Sequence, residues 1–254
     1  MAISHDNTTA SIYLSSTHIE TIRSKLGLDH VKLIQQNVEH FTENEGAMRD
    51  SIVESYFGKD GLEFLISLIV ENLPLGNSLL DLGVGTGTFF YPITARTKAL
   101  QSYGLDATPR MLELFAEKNT ELKLDVDVIL GDMEQISLSL EVNRKERDIQ
   151  IPKKFSSIVS TLALHHIPDT EAVFREVSTL VEDDGTVIFV DSIDESDDST
   201  PDPEHAHSGF KSAKLVELAK RYFTQVDLQI LDLICGDSSC DSFGNQMFLL
   251  KMQK

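Results

Sequence analysis

Residues 78–90 read Ser78-Leu79-Leu80-Asp81-Leu82-Gly83-Val84-Gly85-Thr86-Gly87-Thr88-Phe89-Phe90. The leucines predict a short buried strand, which runs through Asp81 into a turn with glycine at every second position. After Gly87 the spacing of apolar residues becomes helical. A strand, a glycine-rich turn and a helix in this order form a corner that binds a ligand. Glycine suits such a turn because the chain bends tightly and a ligand lies against bare backbone, where a Cβ would collide.

The spacing of the glycines indicates which ligand the turn accepts. A dinucleotide-binding turn has the form G-x-G-x-x-G, with its third glycine in the first helical turn. Counted from Gly83 that third position is Thr88, and counted from Gly85 it is Phe90, so both registers fail. The observed form, D-x-G-x-G-x-G, resembles the first motif of the class I S-adenosylmethionine-dependent methyltransferases. The resemblance implies that Asp81 helps to hold the amino-acid end of the cofactor, with the backbone of the three glycines against it.

Two further acids follow the next two predicted strands. Strand 101–106 ends in Asp106, 25 residues after Asp81, close to where a doubly wound fold places the acid that binds a ribose diol. Strand 126–130 leads to Asp132, and the resemblance implies that this acid meets the adenine amino group. All three acids are expected at the carboxyl edge of the sheet, where open α/β sheets bind ligands. The resemblance completes the predicted cofactor site with Ala107, Met111, Met133 and Thr161.

The whole pattern predicts an α/β fold with a Rossmann-like, seven-stranded, mostly parallel sheet and a reversed last strand. Residues 1–76 carry four apolar helical stripes and are predicted to form an N-terminal helical extension, and residues 77–254 the cofactor-binding core. In small-molecule members of the resembled family such an extension covers the cofactor and shapes the acceptor pocket. The alternative is that these helices only cover one face of the sheet or form an oligomer contact. Segments 226–233 and 246–252 are predicted as the antiparallel hairpin that closes the sheet.

Two charged segments interrupt this plan. Residues 136–154 have weak periodicity, which predicts a surface insertion before the fourth strand. Residues 191–207 contain seven acids and no lysine or arginine, which predicts a solvated, mobile loop.

Composition limits the class of protein. The chain has 254 residues, a formal net charge of −19 and a pI near 4.7. So acidic a surface repels phosphate backbones, which argues against a nucleic-acid or anionic-membrane binder. The two cysteines, Cys235 and Cys240, favour a reduced, cytoplasmic protein. Export and membrane spanning are not expected, because there is no basic-then-apolar leader and no apolar run near 18 residues.

The chemistry is expected after the fourth predicted strand, where residues 164–169 read Leu-His-His-Ile-Pro-Asp. Methyl transfer needs an aligned acceptor and, for a hydroxyl or a protonated amine, a base. A histidine oriented by a carboxylate is a suitable base. The run is similar to that of small-molecule methyltransferases, including sugar O-methyltransferases, which implies catalytic roles for His165, His166 and Asp191. The alternative is that the histidines only shape the loop.

No metal site is predicted. Metal-dependent O-methyltransferases carry an acid where this chain has Ala163-Leu164-His165. Residues 202–207 contain acids and two histidines that could ligate a transition metal in principle, but such residues in an acidic loop more often bind nothing.

The sequence therefore predicts a cytoplasmic enzyme that transfers a methyl group from S-adenosylmethionine to a small molecule, leaving S-adenosylhomocysteine. Oxygen on a metabolite or natural product is the favoured acceptor, with nitrogen or carbon as alternatives. Two other classes stay open: a cofactor-binding regulatory or assembly protein without turnover, and a nicotinamide oxidoreductase, which Thr88 and Phe90 disfavour. The sequence leaves open the identity of the acceptor and whether the chain forms a homodimer.

Overall fold

The computed structural model describes residues 14–30, 35–36, 38–39, 41, 48–74, 78–122, 126–195, 206–233 and 246–254. Its longer helices are α1 (Ser16–Leu26), α2 (Arg49–Asn72), α3 (Phe90–Thr97), α4 (Pro109–Leu122), α5 (Ile136–Arg147), α6 (Thr170–Leu180) and α7 (Ser212–Ala219). Its strands are β1 (Ser78–Leu82), β2 (Gln101–Asp106), β3 (Val126–Leu130), β4 (Phe155–Thr161), β5 (Val181–Ser192), β6 (Gln225–Leu231) and β7 (Met247–Gln253).

The strands form one seven-stranded sheet in the order β3-β2-β1-β4-β5-β7-β6. Strands β1 to β5 pair in parallel, and β7 runs antiparallel to both β5 and β6. The predicted Rossmann-like fold with a reversed last strand is therefore confirmed. The chain order reverses between β1 and β4, and the crevice outside the carboxyl ends of these strands is where such a sheet binds its ligand.

Strand β1 lies in the centre of the sheet, and all five of its residues are buried. Leu80 and Leu82 belong to one hydrophobic cluster and Leu79 to the other, as the two-residue period of a strand requires. A central parallel strand is covered on both faces, which explains why this one reads as a continuous apolar run.

The prediction of a surface insertion at 136–154 is wrong. Residues 136–147 form helix α5, in which Ile136, Leu140 and Asn143 are fully buried. The amide of Asn143 donates hydrogen bonds of 2.8 Å to the carbonyl oxygens of Leu130 and Ser139. The helical period was hidden because two of the core-facing positions, Ser139 and Asn143, are polar.

The described part of the extension packs on the core. Helix α1 is capped by the Ser15 side chain and ends at Gly27, which has a left-handed φ of 67°. Helix α1 contacts α5, and α2 contacts α3. Two of the four predicted apolar stripes, 52–57 and 62–70, lie on either side of Gly58 and form one element, α2, in which Gly58 itself is non-helical.

Several predicted features lie outside the described residues: parts of the N-terminal helical extension, most of the acidic segment 191–207, and both cysteines. Over the described ranges, none of the helices combines the length and apolarity needed to cross a membrane.

Candidate active site

The glycine turn is fixed to the end of the neighbouring strand. The backbone N–H groups of Gly83 and Val84 donate to the carbonyl oxygen of Leu105 at 2.8 and 3.0 Å. The carboxylate of Asp106 accepts hydrogen bonds from the N–H of Gly85 at 2.9 Å and of Thr108 at 2.8 Å. The turn after β1 and the end of β2 therefore form one rigid corner.

The three glycines have positive φ angles of 70°, 54° and 83°, but they meet different surroundings. A Cβ on Gly83 would lie 2.3 Å from the Cβ of Ala163, and one on Gly87 would lie 2.5 Å from the ring of Tyr91. A Cβ on Gly85 would have no atom within 4 Å and would extend into open space. Gly83 and Gly87 thus permit close packing, whereas Gly85 leaves room for a ligand.

Two adjacent cavities lie at the carboxyl edge of the sheet. The larger occupies about 780 Å³ with the open space at its mouth, and the smaller about 330 Å³. They have four lining residues in common: Arg49, Gly83, Gly85 and Leu162. A concave site of this size suits a nucleoside-sized ligand.

Most of the predicted cofactor residues line these cavities. The larger one is lined by Gly83, Gly85, Asp106, Ala107, Met111, Asp132 and Met133, together with the predicted catalytic residue His166. Thr161 lines the smaller one. The other predicted residues, Asp81, Gly87, His165 and Asp191, line neither cavity.

Burial raises the pKa of each of the three strand-end acids, Asp81, Asp106 and Asp132. Burial and then the neighbouring Asp106 carboxylate raise the pKa of Asp81 well above its ordinary value. Burial also raises the pKa of Asp106, against the hydrogen bonds from Thr108 and Gly85. The pKa of Asp132 is raised by burial too, although its carboxylate accepts hydrogen bonds from the N–H of Glu134 and the amide of Gln135. Perturbed carboxyl groups in a cleft are typical of a functional site.

His165 and Asp191 form a buried pair behind the cavity. The Nδ1 atom of His165 lies 2.8 Å from Oδ1 of Asp191, and the two side chains are 2% and 0% exposed. The same carboxylate accepts hydrogen bonds from the backbone N–H of His165 at 3.1 Å and of Ser192 at 2.7 Å. This carboxylate thus fixes both the ring and the backbone of His165.

His166 is the histidine that faces the cavity. Its ring centroid lies 4.1 Å from that of His165 and 5.4 Å from that of Phe41, which it meets edge-on. In the short 3-10 turn at 164–166, His165 is buried and its neighbour His166 lines the larger cavity. The pair predicted from the sequence is therefore divided into one buried ring and one lining ring.

Several other residues of the cavity wall could not be predicted from the sequence. Phe41 and Arg49 come from the extension, and Leu162, Ile167 and Pro168 flank the histidines. Leu162 has a φ of 57°, which is costly for a residue other than glycine, and residues held in this way are enriched at active sites.

Asp50, in the first turn of α2, connects the extension to the glycine turn. Its carboxylate accepts hydrogen bonds from the hydroxyls of Thr86 at 2.7 Å and Thr88 at 2.5 Å, and pairs with the ammonium group of Lys118. Lys118 also donates to the Thr86 carbonyl oxygen at 3.0 Å. Burial by itself raises the pKa of Asp50, but the bonds from Lys118, Thr88 and Thr86 outweigh it and lower the pKa. These four residues are called the Asp50 cluster below.

The cavities fit a cofactor of the predicted kind on two structural grounds. The space beside Gly85 is the space that a side chain would otherwise fill. The Thr161 hydroxyl is buried without a hydrogen-bond partner in the described part of the chain, which is unusual for a buried polar group. Acceptor oxygens at Asp106 and Asp132 suit the hydroxyl and amino donors of a nucleoside.

Metal binding has no comparable support. Among the residues that the structure describes, no three histidine, cysteine or acidic side chains come together as a metal would need. Of the predicted 202–207 run, residues 202–205 lie outside the described ranges. His207 contacts the 3-10 turn at 164–166, which is called the histidine turn below. The backbone N–H of His207 donates to the His165 carbonyl oxygen at 3.0 Å, and its Nε2 lies 3.0 Å from the Ile167 carbonyl oxygen.

Comparison with known proteins agrees with this geometry. Residues 75–230, more than half of the chain, match a protein family described as a methyltransferase domain. The chain belongs to this family. The matched residues include both cavities' strand ends and the histidine turn, and membership confirms the predicted methyltransferase class over the nicotinamide oxidoreductase. S-adenosylmethionine is the cofactor of this class.

Curated relatives carry the same general description. An uncharacterized methyltransferase from Anoxybacillus flavithermus is 31% identical over 135 residues, which is 52% of this chain and 54% of the relative. Another, from Geobacillus thermodenitrificans, is 24% identical over 226 residues, or 87% and 94% of the two chains. The chain thus aligns with about half the length of the first of these relatives.

Solved structures share the fold at low identity. A phosphoethanolamine N-methyltransferase 2 from Haemonchus contortus, in complex with S-adenosyl-L-methionine, superposes with a TM-score of 0.61 at 15% identity, covering 85% of this chain and 60% of that one. A S-adenosylmethionine-dependent methyltransferase from Clostridium acetobutylicum gives 0.53 at 17% identity, covering 76% and 91%. These likenesses concern the fold alone.

Proposed function

We propose that this protein is an S-adenosylmethionine-dependent methyltransferase of a small molecule, with an acceptor oxygen on a metabolite or natural product. The observation that carries the proposal is the pair of adjoining cavities, the larger of which is lined by Gly83, Gly85, Asp106, Asp132 and His166. The low cysteine content and the acidic charge support a cytoplasmic enzyme without a nucleic-acid substrate.

The cofactor would lie along the carboxyl edge of the sheet. Asp106 would accept hydrogen bonds from the ribose hydroxyls, since it lines the larger cavity and a carboxylate oxygen that already accepts from a backbone N–H can accept a further bond. Asp132 would accept from the adenine amino group, and Met111, Met133 and Ala107 would pack against the nucleoside. Gly83, Gly85 and Thr161 would contact the amino-acid end.

Asp81 and Gly87 would act without direct contact. Asp81 is buried beneath the turn beside the Asp106 carboxyl group, and Gly87 lets the turn pack on Tyr91. The predicted direct role of these two residues is replaced in the proposal by this supporting one.

The bound cofactor supplies a methyl group already activated by a sulfonium charge, so the protein's task is to position the acceptor and manage its proton. His166 would accept the proton of an acceptor hydroxyl, because it is the histidine that lines the cavity. His165 and Asp191 would position it: the Asp191 carboxylate holds the His165 ring, and that ring packs on His166.

Titration calorimetry of the purified chain tests the proposal. S-adenosylmethionine and S-adenosylhomocysteine should each bind with micromolar affinity, and NAD should give no heat. Turnover is then measured as the rate of S-adenosylhomocysteine release with each member of a panel of hydroxyl, amine and carboxylate acceptors. Absence of heat from both nucleosides would contradict the proposal, and tight binding with no accepted substrate would support a cofactor-binding regulatory protein instead.

A further inference from the structure

Arg49 lies where the two cavities meet. It lines both of them, together with Gly83 and Gly85 of the glycine turn. Its guanidinium carbon is 5.5 Å from the centroid of the Phe41 ring, and Phe41 in turn meets His166 at 5.4 Å. Arg49, Phe41 and His166 thus form a row that leads from the glycine turn to the candidate base.

The charges around the cavities are divided by side. The acids Asp106, Asp132 and Glu134 line the larger cavity at the ends of β2 and β3. Arg49 is the only lysine or arginine among the described residues that line either cavity. Arg49 therefore supplies the positive charge of a site whose other charged lining residues are acids.

The backbone that carries Arg49 is held in place. Its neighbour Asp50 is bonded to Thr86 and Thr88 of the glycine turn and to Lys118 of α4. A guanidinium on such a fixed base presents parallel N–H donors that match a carboxylate in a bidentate arrangement.

We propose that Arg49 is the anion-binding residue of this site and that it receives a carboxylate at the junction of the two cavities. The inference rests on the proposed function in one respect only, that the site takes a nucleoside cofactor and an acceptor. Two sources can supply the carboxylate: the methionine moiety of the cofactor, or an acid group on the acceptor. Phe41 suits an acceptor whose acid group is attached to an apolar ring.

The first arm of the test asks whether the cofactor supplies the anion. Calorimetry compares S-adenosylhomocysteine with 5′-methylthioadenosine, which lacks the amino-acid part, on the wild type and on Arg49→Gln, Arg49→Lys and Arg110→Gln. If the cofactor is the source, Arg49→Gln lowers the affinity for S-adenosylhomocysteine by about tenfold or more and leaves the affinity for methylthioadenosine unchanged. The reason is that only S-adenosylhomocysteine has a carboxylate that can form a charge-assisted bond with Arg49. Arg49→Lys should recover part of the loss.

Arg110→Gln is the matched control, since it removes the same charge from a surface pair with Glu113 in α4, one residue before the lining residue Met111. It should change neither affinity. Unchanged binding of methylthioadenosine to Arg49→Gln shows at the same time that this variant is folded.

The second arm asks whether the acceptor supplies the anion. Proteins saturated with S-adenosylhomocysteine are titrated with benzoate and with its neutral isostere benzamide. If the acceptor is the source, the wild type prefers benzoate by about tenfold and Arg49→Gln loses this preference. The proposal is overturned if Arg49→Gln changes neither the nucleoside ratio nor the benzoate ratio by more than about twofold. Failure of the wild type to bind either nucleoside would overturn the proposed function as well, and the two failures are therefore distinguishable.

Discussion

The imidazole of His165 lies 2.8 Å from the carboxylate of Asp191, and neither side chain has more than 2% of its surface exposed. A buried pair of this kind stabilises the fold as well as orienting its neighbours, because removal of one partner leaves the polar atoms of the other buried without it. The pair spans the ends of β4 and β5, next to the histidine turn.

His165→Ala and Asp191→Ala should each lower the free energy of unfolding by about 1–3 kcal/mol, and the double variant by less than their sum. Urea denaturation of the four proteins gives the coupling energy, expected at about 1–2 kcal/mol. Additive losses would show that the two side chains act independently.

His166→Ala should lower turnover by about 10²–10⁴-fold while S-adenosylhomocysteine affinity changes little, because a lining base is removed and the cofactor side of the cavity is kept. The measurement is the rate of S-adenosylhomocysteine release with an acceptor found in the panel, together with its pH profile. His18→Ala, on α1, is the control and should behave as wild type. An unchanged rate in His166→Ala would mean that this ring is not the base.

Asp106→Ala should lower the affinities for S-adenosylmethionine and S-adenosylhomocysteine by about tenfold or more, because the hydrogen bonds from the ribose hydroxyls to the carboxylate are lost. Calorimetry measures both affinities. Glu113→Ala removes an equal charge from the exposed face of α4 and serves as the control. If Asp106→Ala binds as the wild type does, the ribose lies elsewhere.

Asp81→Asn should stabilise the ligand-free protein at neutral pH. Burial and the Asp106 carboxylate raise the pKa of Asp81 in the folded chain well above its ordinary value of 3.8. At pH values between the ordinary pKa and the raised pKa, the folded chain therefore binds more protons than the unfolded chain. The free energy of unfolding of the wild type therefore falls as pH rises through that interval, whereas asparagine does not titrate.

Urea denaturation from pH 4.5 to 8 should show that the advantage of Asp81→Asn grows with pH and reaches about 0.5–2 kcal/mol, as for other substitutions that relieve a functional site. A difference between the two proteins that does not vary with pH would contradict the raised pKa.

Gly85→Ala and Gly87→Ala should fail in different ways. Both place a Cβ at positive φ, at a cost of about 1–2 kcal/mol. The Gly85 Cβ has free space in the protein, so its further effect should be a loss of about tenfold or more in S-adenosylhomocysteine affinity. The Gly87 Cβ meets Tyr91 at 2.5 Å and Phe115 at 2.9 Å, which adds about 1–3 kcal/mol of overpacking.

Calorimetry and urea denaturation on both variants check this division. The opposite order, with Gly85→Ala the less stable protein and Gly87→Ala the one with the weaker cofactor affinity, would contradict it.

The sheet and its three acids could be predicted from the sequence because the signals are local. A buried strand such as β1 is a continuous apolar run, and the residue that follows it lies at the carboxyl edge whatever the rest of the chain does. The spacing from Asp81 to Asp106 follows from one helix and one strand. For the same reason the position of the histidine turn after β4 could be predicted.

The other features depend on tertiary contacts. Nothing near Arg49 or Phe41 in the sequence distinguishes them from other residues of a helical extension, since they line the site only through the packing of the extension on the core. Helix α5 was missed because Ser139 and Asn143 face the core as hydrogen-bonding residues. Which of two adjacent histidines faces a cavity is decided by the 3-10 turn, which the composition does not encode.

The Asp50 cluster makes the N-terminal segment a structural part of the smaller cavity, which Thr86 and Thr88 line. A shortened chain that begins at residue 77 would keep Thr86, Thr88 and Lys118 but lose the carboxylate that joins them. Water would then have to accept the hydrogen bonds that the hydroxyls of Thr86 and Thr88 in the glycine turn now donate to Asp50. Cleavage in the extension and loss of ligand affinity should therefore occur together, as expected if the residues before and after residue 76 unfold as one cooperative unit.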